Sequence, residues 1–188
     1  MNLDDNDKKY LLGVARNVIE NLANKKSINM PESYSDRFDA DAGAFCTITK
    51  KENGTTIMQE YVGIPYPLMP MMKAVINAAR AAYEDHRYPD IKPEELDKIK
   101  IELAILGEPR IIMHDPWNYP KVIDPRNEGL MLHHGPYSSL LLPNTVRENN
   151  WSKEECLNQL CLKAGLPVDT WNDSRAKIRK FSAQVFGE

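Results

Sequence analysis

The sequence predicts an α+β protein, and three patterns carry that prediction. Residues 99–106 place Ile99, Ile101, Leu103 and Ile105 at every second position, the period of a strand with one buried face. Residues 130–132 and 140–142 are short apolar runs separated by Gly135-Pro136-Tyr137-Ser138-Ser139, which reads as a β-hairpin covered by other elements. Leu11, Val14, Ala15, Val18 and Leu22 instead recur at intervals of three and four, the stripe of an amphipathic helix. Leu132, Leu141, Ile101 and Leu103 are therefore expected to be buried.

Taken in order, residues 4–24 form the first helix, with acidic residues before Lys8 at its positive N-terminus. Residues 27–42 read as an ordered surface connection anchored by Ile28, Met30, Tyr34 and Phe38. Residues 44–50 suit a pleated surface. Asn53-Gly54 then signals a type I′ turn and residues 55–62 the return strand. Gly63, Pro65, Pro67 and Pro70 break that strand, and Pro70 suits the first position of a helix reaching about Tyr83. Its alanines permit close approach to a sheet. Residues 85–92 form a loop, Pro93-Glu94-Glu95-Leu96 opens a short helix, and the strand 99–106 ends before Pro109.

Residues 111–128 contain Pro116, Trp117, Tyr119, Pro120 and Pro125 and read as an irregular excursion with a strand near 111–113. After the hairpin, Ser152 and Glu155 fit a capping box, and Gly165 with Pro167 stops the helix that follows. Residues 178–186 alternate again and should tie the C-terminal segment into a sheet.

Bulk composition excludes several function classes. The chain has 188 residues, enough for one core or two small subdomains. Its 24 basic and 27 acidic residues give a net charge of −3, which offers no broad attraction for nucleic acid or anionic lipid. No apolar run approaches the roughly 20 residues a membrane-spanning helix requires. Met1-Asn2-Leu3-Asp4-Asp5 lacks the apolar core of a secretory signal. Three cysteines are an odd number and no disulfide framework, so a reducing, cytoplasmic location is expected.

Several segments together resemble the AMMECR-type domain, the family of the AMME-syndrome candidate protein. They include Gly43-Ala44-Phe45, Tyr88-Pro89, Ile101-Glu102-Leu103-Ala104-Ile105-Leu106 and Glu108-Pro109. Gly129-Leu130, Leu140-Leu141-Leu142-Pro143, Cys161-Leu162-Lys163-Ala164-Gly165-Leu166-Pro167 and Phe181-Ser182-Ala183-Gln184-Val185-Phe186 follow in order. The resemblance covers nearly the whole chain. It implies one domain over residues 1–188, made of two subdomains whose antiparallel β-sheets are flanked by helices, with a cleft between them. It also implies a possible partner enzyme of Memo-like or radical-SAM type, and it supplies no reaction. At the family's signature Leu-Arg-Gly-Cys-Ile-Gly this chain reads Met58-Gln59-Glu60-Tyr61-Val62-Gly63. Gln59, Glu60 and Tyr61 replace Arg, Gly and Cys, so a family role resting on that Arg or that thiol is not implied here.

The candidate ligand-binding residues are Glu102, Tyr61, His133, Glu60 and His134. Glu102 lies on the strand face opposite Ile101 and Leu103. It is a site candidate if that face is covered, because a buried carboxylate needs a partner; otherwise it lies in water. Glu60 reads more simply as solvated. His133 and His134 point to opposite faces of a strand. Imidazole suits a base or a metal ligand, but one packed and one solvated histidine is the simpler reading. Cys156 and Cys161 are five apart, about 140° around a helix, and do not share a face. Cys46 reads as a small buried apolar residue. Arg175, Lys177, Arg179 and Lys180 read as a solvated strand edge. No phosphate loop, nucleophile elbow or paired metal-ligand spacing occurs.

Three function classes remain. The chain is a binding or accessory domain that holds a small molecule or a peptide end, an enzyme using carboxylate and histidine acid–base chemistry, or a nucleic-acid-associated regulator. The lack of a catalytic motif favours the first over the second, and the near-neutral charge counts against the third.

Overall fold

A computed structural model describes residues 2–29, 31, 35–52, 55–58 and 61–188. The chain divides into two compact units, Met1–Gly107 with Gln184–Glu188, and Glu108–Ala183.

In unit 1, helix α1 spans Asp5–Ala23. Asp4 caps it in a reciprocal box with Asp7, satisfying backbone donors that the first turn leaves open. Its stripe Leu11, Val14, Ala15 and Val18 is buried as the spacing requires. Strand β1 (Gly43–Glu52) pairs antiparallel with β2 (Thr55–Met58), β3 (Val62–Ile64) and β4 (Ile99–Leu106). The expected return strand is thus two strands, both on β1. Asn53-Gly54, Glu60, Met30 and Tyr34 lie outside the described residues. Phe38 anchors the 27–42 connection, fully buried in a 3-10 turn at Asp36–Asp39 and stacked on Tyr10.

Helix α2 spans Met71–Tyr83, with Pro70 as its N-cap rather than its first residue. Ala74, Ala78, Ala79 and Ala82 are buried, and the absence of longer side chains lets this helix lie close to β1. The strand alternation holds: Ile99, Ile101, Leu103 and Ile105 join Ala44, Cys46 and Ile48 in one core with α1 and α2. Residues of the segment Gln184–Glu188 run beside β4, where the Glu188 N–H donates to the Ile101 carbonyl. The Glu188 carboxylate also pairs with Arg16.

In unit 2, β5 is only Arg110–Ile111, and a short helix α3 at Tyr119–Val122 interrupts the Pro-rich excursion. The hairpin is β6 (Glu128–His134) and β7 (Tyr137–Leu141). Its strands reach further than the apolar runs, so the turn is Gly135-Pro136 alone, with His134 opposite Tyr137. Gly135 sits at φ +58°, and Pro136 holds φ near −65°. That combination matches a II′ turn, whose twist suits a hairpin. Strand β8 (Lys177–Gly187) pairs with β6 on one side and β5 on the other. Arg179 and Lys180 therefore stand on an interior strand, which corrects the reading of this cluster as a strand edge.

Two helices follow the hairpin. Helix α4 (Pro143–Asn149) was not legible from periodicity, because only Pro143 and Val146 of its seven residues are buried. Helix α5 (Lys153–Lys163) has the Ser152–Glu155 box. It ends in a Schellman arrangement: Leu166 N–H donates to Cys161 O and Gly165 N–H to Leu162 O, with Gly165 at φ +73°. Cys156 and Cys161 are both fully buried with Leu157 and Leu160 against Leu130, Leu132, Leu141 and Ile178. The apolar arc of α5 is wide enough to take both thiols, contrary to the reading that they occupy separate faces. Among the described residues no helix is long and apolar enough to cross a membrane.

Candidate functional site

The β1 register builds one polar row in unit 1. Thr47 stands directly opposite Glu102 of β4, so their side chains share a face. Cys46 pairs with Val62, and one step further along this register Tyr61 comes beside Thr47. Tyr61, Thr47 and Glu102 thus line up across three strands, on the face away from Ile101 and Leu103. Neighbouring strands lie about 4.8 Å apart, so the Cβ atoms of Tyr61 and Glu102 are roughly 10 Å apart. A phenol and a glutamate are long enough together to close that gap. The Tyr61 hydroxyl donates to Glu102 Oε1, and both side chains are half-buried. Between them Thr47 is 1% exposed, and its hydroxyl finds no hydrogen-bond partner among the described residues.

Gly63 sets the position of Tyr61. A Cβ at Gly63 would run into the Ala44 carbonyl, and φ there is +157°. Only glycine lets this backbone lie so close to β1, and that approach delivers the residue two places earlier to the row. Glu60, the neighbouring candidate, lies outside the described residues.

The histidines lie in unit 2 and separate as adjacent strand residues must. His133 Nδ1 is 3.0 Å from Arg179 Nη1. His134 Nε2 is 3.2 Å from Asp173 Oδ2, whose carboxylate also receives Arg175. Neither histidine is simply packed or solvated; both are half-buried and engaged. Burial, and then the Arg179 charge, lower the His133 pKa. The Arg175 hydrogen bonds hold Asp173 well below the usual carboxylate range. Burial pushes the Cys46 thiol up to about 12 and Cys156 to about 11, and raises Cys161 as well.

Three hollows of the surface have other linings. One of about 590 Å³ is lined by Asn6, Lys9, Tyr10 and Gly13 of α1. Another, of about 540 Å³, lies between Lys8, Leu12 and Phe186. The third, about 340 Å³, is bounded by Asp124, Arg126, Trp151 and Glu155. None of the three is lined by Tyr61, Glu102, His133 or His134. Among the described residues no three His, Cys, Asp or Glu side chains converge as a metal site. Arg179 and Asp173, the partners of the histidines, were not singled out as site residues from sequence. Only the strand register makes Arg179 a neighbour of His133.

The family model described as AMMECR1 matches residues 12–186. A protein of Methanocaldococcus jannaschii is 42% identical over 182 residues, covering 95% of this chain and 89% of the relative. A protein of Nanoarchaeum equitans is 37% identical over 180 residues, covering 95% and 98%. The crystal structure of an uncharacterized protein from Pyrococcus horikoshii matches with a TM-score of 0.87 at 34% identity, covering 95% of this chain and 90% of the other.

Proposed function

Because the chain belongs to the AMMECR1 family, we propose that it is a binding or accessory protein that holds a small polar ligand or a peptide end at the Tyr61–Glu102 pair. The observation that carries this reading is the half-buried hydrogen bond from the Tyr61 hydroxyl to Glu102. A phenol and a carboxylate joined in this way present one fixed donor–acceptor polarity, and Glu102 keeps free lone pairs for a ligand N–H. Thr47 adds a hydrogen-bonding atom between them.

Binding is favoured over turnover because the groups that would serve as bases are committed. Glu102 accepts from Tyr61, and the histidines face Arg179 and Asp173. The accessory side of the proposal takes a Memo-like or radical-SAM enzyme as the partner, which is what family resemblance suggests. Three buried free thiols suit a reducing cytoplasm.

The test is a thermal-shift screen of amine-bearing metabolites and short peptides, with products followed by mass spectrometry. A ligand that stabilises the wild type, loses that effect in Glu102→Gln and emerges unchanged supports the proposal. Reproducible turnover abolished by Glu102→Gln would make the protein an enzyme.

A further inference from the structure

The hairpin of unit 2 carries a second constellation, separate from the Tyr61–Glu102 pair. His133 of β6 stands directly opposite Ser138 of β7 and Lys177 of β8. The three side chains therefore form a row on one face of the sheet. Helix α5 covers the other face, where Leu132 and Ile178 are buried and the Ser139 hydroxyl donates to the Leu160 carbonyl. Arg179 is two residues from Lys177 and so shares the His133 face.

The row is rich in hydrogen-bond donors. Arginine has no acceptor, so the contact between Arg179 Nη1 and His133 Nδ1 makes the imidazole nitrogen the acceptor. The ring is then neutral and carries its proton on Nε2. Burial, followed by the Arg179 charge, lowers the His133 pKa and so favours that state. Lys177 and Ser138 are exposed, and their side chains make no hydrogen bond or ion pair to another described residue. No carboxylate among the described residues pairs with Lys177 or Arg179, since Glu128 takes Lys180 and Asp173 takes Arg175. Two cations on one strand face, roughly 7 Å apart, repel one another until an anion comes between them.

We propose that the Ser138–His133–Lys177 row with Arg179 is a binding site for an oxyanion, the phosphoryl group of a small metabolite. The Arg179 fork, the Lys177 ammonium and the Ser138 hydroxyl, beside the His133 ring, match the several terminal oxygens of a phosphate, and no carboxylate among the described residues pairs with either cation.

The experiment titrates inorganic phosphate into the full chain. It follows the heat of binding and the His133 ring resonances by NMR, with circular dichroism confirming the fold of each variant. Saturable binding that moves the His133 signals is expected, with sulfate competing. Lys177→Gln, at an exposed position, should weaken binding about tenfold or more, and Arg179→Gln at least as much. Lys153→Gln on α5 should leave it unchanged. Absence of saturable phosphate binding would overturn the proposal, as would equal affinity in Lys177→Gln. A single-stranded oligonucleotide that binds while inorganic phosphate and a mononucleotide do not would also overturn it, in favour of a nucleic-acid surface.

Discussion

Tyr61→Phe removes one hydroxyl and leaves the ring in place. Its effect can be worked from the row it belongs to. The hydroxyl donates to a carboxylate, and hydrogen bonds to charged groups contribute about 1.5–3 kcal/mol. Both side chains are half-buried, so water can replace the lost donor in part, and about 1–1.5 kcal/mol is expected. Because the bridge spans roughly 10 Å between Cβ atoms, Glu102→Asp, shorter by one methylene, should break it as effectively as Glu102→Gln weakens it. A double-mutant cycle of Tyr61→Phe and Glu102→Gln should return a coupling near 1 kcal/mol. The assay must report on unit 1. Trp117, Trp151 and Trp171 all fall within Glu108–Ala183, so tryptophan fluorescence reads the other unit. Urea unfolding followed by far-UV circular dichroism reads both. A coupling indistinguishable from zero would show that the bridge contributes nothing to the folded state and would remove the basis for treating the pair as a built site.

Ile101→Ala and Leu141→Ala each empty a position that is at most 4% exposed, and each should cost about 2–5 kcal/mol, while Lys100→Ala on the exposed face should change stability by less than about 0.5 kcal/mol; unchanged urea midpoints for the first two would show that these strands are not core. With the Cys46 thiol pushed up to about 12 and Cys156 to about 11, iodoacetamide at neutral pH should label the folded protein slowly and label it rapidly only after unfolding. Rapid, stoichiometric modification of one cysteine in the native state would contradict this. Burial would raise the Glu188 carboxyl, but the Arg16 hydrogen bond and charge outweigh it and hold the group below its usual 4.5. Its contribution is therefore complete above that value and lost as pH falls through the lower folded one. Glu188→Gln should flatten the acid limb of the stability curve below about pH 4.5, and an unaltered limb would refute the assignment.

The sequence by itself determined the elements whose causes are local. The alternation of residues 99–106, the stripe of α1, the Ser152–Glu155 box and the Gly165 stop each depend on spacings of two to four residues, and each appears in the structure as read. Residue type likewise foretold that Cys46 would be a small buried apolar residue. The family resemblance drew attention to Tyr61 as a departure from the signature, and strand alternation drew attention to Glu102.

What joined them was not local. Tyr61 and Glu102 are 41 positions apart, and they meet because β3 and β4 flank the same strand at a register that sets Thr47 between them. The close approach that permits this depends on the missing Cβ of Gly63. In the same way, Arg179 and Lys180 read as a solvated strand edge, whereas β5 and β6 lie on either side of them in β8. The extent of the Gly135-Pro136 turn was also decided by pairing, since Tyr137 and Ser138 are polar and only their partners His134 and His133 draw them into the strand. Helix α4 shows the limit from the other direction: two buried residues in seven leave no period to read. Periodicity reports which face of a segment is apolar, but the cross-strand register, set by packing over the whole sheet, decides which polar side chains face one another.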